Sequence, residues 1–451
     1  MTEYITLLDY AILPFVLAIV YGIAYKYRNK HYPVNHPWRK YFIPGLTVKV
    51  FGALFISMVY VYYYGGGDTV NFFSQAKVIN TAAGESIGKW FNLVLHIPDI
   101  SDPEYYNYIN EIYWYEDIGS YIVCSITAVL SILLFSSFLP TAVVFAAISF
   151  TGIWALFRTF ARLYPTLIRP IAIVVLFIPS TFVWGSGIFK DTLCMFGLGW
   201  FTYSIFRMLI RRDFSPANII VTIACFMLIV NVKVYIIMAF LPAVGLWILS
   251  IYTAGIKSKG LRIITRVLAL AIVIAVSSIL MQRLGGDVLG RYSLENIEST
   301  ANVTRNWIEY ASGDEGSAYS LGDFDPTIAG MLTKFPLAVN VTFFRPYIWE
   351  ARKPIVFLSA LEALFFLFLT LKLIVKVGLK KIFRTISTDS NAQFCLIFAI
   401  IFAFAVGITS YNFGALSRYK IPCLSFYMLF IIITYYKNNS SRKLLFSPFK
   451  L

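Results

Sequence analysis

A succession of apolar runs, each near the length that crosses a bilayer, restricts this chain to one kind of fold. The runs occupy residues 10–25, 42–64, 120–139, 141–160, 171–188, 192–210, 217–232, 234–254, 263–281, 354–375, 392–409 and 421–436. Lipid offers no partner to open backbone N–H and C=O groups, and the runs lack the alternation of a membrane barrel, so the spanning element is the helix. The expected architecture is all-α: a polytopic transmembrane bundle of about 11–13 spans, one domain over residues 1–451. Two outer loops, at about 65–119 and 282–353, are expected to contain short helices.

Charge distribution supports that reading. Of 451 residues 59% are hydrophobic and only 14% charged, which excludes an ordinary soluble domain. The net charge of +15 does not imply nucleic acid, because the basic residues collect in short segments between apolar runs. That is how cytoplasmic loops are marked. Lys26, Arg28, Lys30, Arg39 and Lys40 place the first loop inside. Arg211 and Arg212, the stretches from Lys257 to Arg266 and Lys376 to Arg384, and the tail from Lys437 follow the same rule. Residues 65–119 face outward, with eight acidic side chains against Lys77 and Lys89. Four runs between this loop and Arg212 give the wrong parity, so one of them must be re-entrant or broken. The candidates are 141–160, and 171–188 with its Pro179, Gly185 and Gly187. The first apolar run lacks a small-residue cleavage site and is expected to remain as a span.

Chemistry-bearing residues gather on the expected outer face. In YGGGDT, three glycines free the backbone to turn sharply and leave Asp68 at the water boundary, where a carboxylate serves as a general base or helps hold a divalent cation. In FIPSTFVWGSGIFKDTL, Trp184 offers a flat surface for sugar stacking, Lys190 a cation for phosphate, and Asp191 a second carboxylate. In FFRPYIWEARKP, Arg345 and Arg352 suit phosphate and Trp349 suits a sugar. In YNFGALSRYKIP, Arg418 and Lys420 again put cations on the face that normally avoids them. Lys190, Arg345, Arg352, Arg418 and Lys420 are expected to converge as an anion site. Lys49, Lys233 and Glu362 are expensive residues inside apolar runs.

Other chemistries find less support. No GxxxxGK[ST] loop is present, and His31, His36 and His96 are too scattered for a histidine metal centre. The five cysteines lie inside apolar runs without paired spacing and read as small buried hydrophobes.

Taken together, the isolated Asp68 after an early span, the broken segment ending in Lys190 and Asp191, RPYIWE before a late span and RYKIP before the last one resemble bacterial GT-C-fold membrane glycosyltransferases and O-antigen-type polysaccharide polymerases. The resemblance is one of layout over most of the chain. It implies an enzyme of the bacterial inner membrane that works at the outer face on a polyprenyl-phosphate- or polyprenyl-diphosphate-linked sugar, with a glycan or lipid acceptor. Asp68 would be the base, Asp191 its helper, and Lys190, Arg345 and Arg418 would hold phosphate. The family commonly carries an acidic pair in the first loop, whereas Asp68 stands alone until Glu85, so Glu111, Glu116 and Asp117 compete for the role. Two other classes stay open: a transporter or flippase for lipid-linked saccharides, and a non-enzymatic assembly subunit.

Overall fold

The computed structural model describes residues 4–253 and 317–439, apart from 323, 324 and 326, together with a few single positions between 258 and 268. Within them the chain is helical, the exception in pairing being one isolated β-bridge, Ala318 to Asn412. Among the described residues seven helices are long and apolar enough to cross a membrane, or eight if the bent pair Phe413–Tyr419 and Ile421–Asn438 counts as one span. This is a multi-pass, all-α membrane protein. The run at 263–281 and most of the second expected loop lie outside the described residues.

The chain divides into two compact units, Met1–Lys233 and Val234–Leu451. The first contains α1 (Leu7–His31), α2 (Arg39–Met58, extended by a wider turn through Tyr63), α3 (Asp68–Glu85), α4 (Ile87–Val94), α5 (Tyr106–Glu111), α6 (Ile118–Ile132), α7 (Phe138–Leu163), α8 (Ile168–Leu176), α9 (Pro179–Trp184) and α10 (Lys190–Ile205). The first half of α11 (Pro216–Tyr252) closes it.

The α7 helix is the core of this unit and packs on α1, α2, α8 and α10. Glycine sets the closest approach: a Cβ on Gly199 of α10 would lie 1.9 Å from the Gly152 carbonyl oxygen of α7. Small residues that let backbones touch are the usual means of association where lipid removes the hydrophobic drive between helices.

The structure alters three of the expected spans. Residues 171–188 do not form one continuous helix but the two short helices α8 and α9, interrupted at Phe177 and Ile178. Pro179 begins α9, because a ring without an N–H is tolerated in a first turn. The α9 segment is buried against α2, where a Cβ on Gly52 would meet the Phe182 carbonyl oxygen at 2.0 Å. Protein rather than lipid therefore surrounds the irregular backbone. The run 120–139 ends early, as α6 stops at Ile132 and Phe135 and Ser136 turn with positive φ. Runs 217–232 and 234–254 form one helical path, α11, broken at Lys233 (φ −151°, ψ 80°).

The second unit contains α12 (Ile328–Thr333), α13 (Phe335–Phe344), α14 (Pro354–Val377), α15 (Leu379–Thr388), α16 (Ser390–Thr409), α17 (Phe413–Tyr419) and α18 (Ile421–Asn438). Nearly every residue of α18 is buried, packed between α14 and α16.

Candidate functional site

One end of the first unit gathers most of its candidate residues. Gly65, Gly66 and Gly67 all have positive φ, which glycine adopts without the penalty a Cβ would bring. They separate α2 from α3 and make Asp68 the first residue of α3, half-buried, at the helix end that favours a carboxylate.

The α3 and α6 helices run parallel. Asn80 donates to the Ala128 carbonyl at 3.1 Å, and Phe72 packs on Trp114 with ring centroids 4.6 Å apart. Asp68 opens α3, and at the start of α6 Asp117 caps the helix by accepting from the Gly119 N–H at 3.2 Å. Tyr60 links this end to the next element. Its ring lies against Gly67 and packs 5.4 Å from that of Phe189, the residue before Lys190.

Lys190 and Asp191 open α10 and turn to different partners. Lys190 Nζ donates to Asp117 Oδ2 at 2.9 Å, while Lys233 Nζ donates to Asp191 Oδ1 at 2.5 Å. The first pair is partly open to solvent, the second almost fully buried, with side-chain exposures of 8% for Lys233 and 1% for Asp191. Two further contacts tie the three elements together: a Cβ on Gly119 would lie 3.0 Å from the Val232 carbonyl oxygen and 3.3 Å from Lys190 Nζ. Burial would raise the Asp117 carboxyl, but the Ser120 hydroxyl, 2.7 Å away, and the Lys190 charge outweigh it and hold the group below its ordinary value. Asp117 is accordingly ionised at neutral pH.

Of the sequence candidates in this unit, Asp68, Lys190 and Asp191 share this end. Trp184 is buried at 6% exposure and its ring packs near Phe189, so its face is not offered to a sugar. Sequence reasoning reached two members only indirectly, Asp117 as a competitor for the base and Lys233 as an expensive residue in an apolar run. Asp117 carried a local signal, an acid immediately before an apolar run. Lys233 carried a thermodynamic one, since a cation within an apolar run needs a counter-charge, here supplied by Asp191. Lys49 is fully enclosed in α2 and donates to the Gly185 carbonyl, which also accepts from Ser149 Oγ at 2.8 Å.

In the second unit Arg345 is fixed by a two-pronged pair with Glu350, its Nε lying 3.1 and 3.0 Å from the two carboxylate oxygens. The guanidinium stands over the rings of Tyr319, Tyr347 and Phe413 at 5.9, 5.8 and 5.4 Å. Arg418 and Lys420 are buried at 8% and 1% exposure, and Glu362 of α14 lies within electrostatic reach of Lys420. Trp349 is 81% exposed and stacks on Tyr347, and Arg352 is exposed nearby. The five cations expected to form one anion site thus differ in setting: Lys190 and Arg345 are each engaged by a carboxylate, Arg418 and Lys420 lie in the interior, and Arg352 is at the surface.

Among the described residues no group of three or more His, Cys, Asp or Glu side chains is arranged to hold a metal ion. No family model, curated protein or solved structure matches the chain.

Proposed function

We propose that the protein is a membrane glycosyltransferase that moves a sugar or glycan from a polyprenyl-phosphate or polyprenyl-diphosphate donor to an acceptor hydroxyl on a glycan or lipid, in cell-surface glycan assembly. The single observation that carries this reading is the pair of Lys190 and Asp117 where α10 and α6 begin, with Asp68 opening α3, the helix that packs on α6. Carboxylates and a cation side by side at the boundary of an apolar bundle are what this transfer needs. The acceptor oxygen attacks the anomeric carbon while its proton passes to Asp68. The bond between that carbon and the phosphate oxygen breaks, and the electron pair leaves with the polyprenyl phosphate. Lys190, anchored by one N–H to Asp117, has two more with which to meet the departing phosphate.

Asp191 then takes a supporting part. Its carboxylate is committed to Lys233, and that pair locks the start of α10 against the break in α11. On this reading the active end faces away from the cytoplasm of a bacterial inner membrane, with the basic loop 26–40 inside. The α7 helix begins beside Asp9 and ends beside Trp38 of the basic loop, so the broken path through α8 and α9 carries the chain back across and the short α6 is the run that does not cross, which leaves Arg158, Arg162 and Arg212 on the inner side in agreement with that orientation.

The test is turnover by purified protein supplied with lipid-linked sugar donors and acceptors. Asp68→Asn and Lys190→Gln are expected to lose about a hundredfold or more. Wild-type rates in both would remove the site. Buried charges within the spans, Lys49 and the Lys233–Asp191 pair, favour a second reading as a transporter of lipid-linked saccharides. Proteoliposomes that move such lipids between leaflets without forming glycosidic bonds would decide for it.

A further inference from the structure

We infer that the connection between α1 and α2 forms a second anion site, a cleft that takes a phosphate group, at the far end of α2 from Asp68. The cleft has a volume of about 410 Å³ and is lined by Arg28, Asn35, His36, Arg39 and Lys40 together with apolar side chains. That volume is in the range of small-ligand pockets, roughly 300–1,000 Å³.

No acidic side chain lines it, and among the described residues none pairs with Arg28, Arg39 or Lys40. Their recorded partners are neutral. Arg39 donates to the Tyr32 carbonyl at 2.6 Å and to Asn29 Oδ1 at 2.7 Å, and Arg28 donates to the same Asn29 oxygen at 3.0 Å. The Lys40 ammonium stands 5.2 Å from the centroid of the Tyr41 ring. These contacts fix the directions of the guanidinium groups and leave their charge uncompensated. His36 adds to the set: its Nδ1 accepts from the Trp38 N–H at 3.2 Å, so the neutral ring carries its proton on Nε2 as a donor.

Membrane orientation alone does not require this arrangement. Positive charge marks a loop as cytoplasmic wherever in the loop it sits, and Lys26 and Lys30 do so from exposed positions outside the cleft. Three cations converging on one concavity repel each other, and a bound anion reverses that cost. Planar guanidinium forks select phosphate among anions. The phosphate has two sources, a soluble phosphorylated compound or the headgroup of an anionic phospholipid, and both present the same group to the same donors.

The test uses the full chain in nanodiscs. In zwitterionic discs, calorimetric titration with inorganic pyrophosphate reads the soluble source. In discs of mixed zwitterionic lipid and phosphatidylglycerol, the lipid retained by the released protein, measured by native mass spectrometry, reads the headgroup. Binding in either arm that weakens about tenfold in R28Q/K40Q, but less than about twofold in the charge-matched control K26Q/K30Q, supports the cleft and names its source. Absence of binding in both arms, or equal weakening by the two double variants, overturns it. Neither readout depends on glycosyl transfer, so failure here and failure of the proposed activity are separate results.

Discussion

Lys233 Nζ lies 2.5 Å from Asp191 Oδ1 at the point where α11 loses helical geometry, and both side chains are buried. An isolated charge in that position would be far costlier than the pair, because each partner supplies the solvation that the other lost. The pair therefore fixes where α11 may break and how α10 begins.

Removing one partner should be much worse than removing both. Lys233→Ala or Asp191→Asn is expected to cost about 3–5 kcal/mol, whereas Lys233→Met combined with Asp191→Leu should come out close to neutral. Thermal unfolding of the three variants in one detergent checks this. A double variant no more stable than either single would mean that the charges do more than compensate each other.

The contact between α7 and α10 gives a second expectation. A methyl group on Gly199 would meet the Gly152 carbonyl oxygen at 1.9 Å, and one on Gly152 the Phe196 carbonyl oxygen at 2.3 Å. Backbone cannot yield as a side chain can, so the helices must separate. Gly199→Ala is expected to destabilise by about 1–3 kcal/mol or more. Gly22→Ala, where a Cβ meets nothing within 4 Å, should not. Paired melting curves read the difference directly.

The Glu350 carboxyl responds to acid in a defined direction. Burial would raise it, but the Arg345 pair and the Tyr347 N–H, 2.8 Å away, hold it below its ordinary value of 4.5. A depressed folded-state value contributes stability that is complete above the ordinary range and is lost as pH falls through the lower folded value. Wild type should therefore exceed Glu350→Gln in stability at pH 7, and the gap should close on acidification below the ordinary carboxylate range. Denaturation followed against pH for both proteins measures it. A gap independent of pH would assign the effect of the variant to packing.

Local sequence signals set the reach of what was legible beforehand. Helix α7 follows from an apolar run without a breaker, and the interruption between α8 and α9 is announced by Pro179. Polar Lys233 already separated two runs, and the chain breaks at that residue. By contrast, α6 ends at Ile132 without glycine or proline to mark it, as Phe135 and Ser136 take up positive φ themselves. The site divides in the same way. That Asp68 sits in a glycine turn can be read locally. That Lys190 chooses Asp117 and Asp191 chooses Lys233 cannot, because those partners are 73 and 42 residues distant and are brought together by packing. The burial of Trp184 escaped notice for the same reason: an aromatic beside glycines looks the same in sequence whether it faces a ligand or a neighbouring helix.

Lys49 allows structure and function to be separated within the bundle. It is buried, and among the described residues its one hydrogen-bond partner is the Gly185 carbonyl. That oxygen keeps a second donor, Ser149 Oγ, so replacing the lysine leaves no carbonyl stranded. Methionine has nearly the shape of the lysine stem and none of its cost of burial. Lys49→Met is therefore expected to change stability by less than about 1.5 kcal/mol in either direction. Ser149→Ala alone should also be mild, because Lys49 remains on the same oxygen. The double variant removes both donors and should lose more than the two singles together, by about 1–3 kcal/mol for the stranded group. Unfolding of the four proteins completes the cycle. If Lys49→Met folds as well as wild type yet abolishes turnover or transport, the amine acts on substrate. If stability and activity are both retained, its role is confined to fastening α9 on α2.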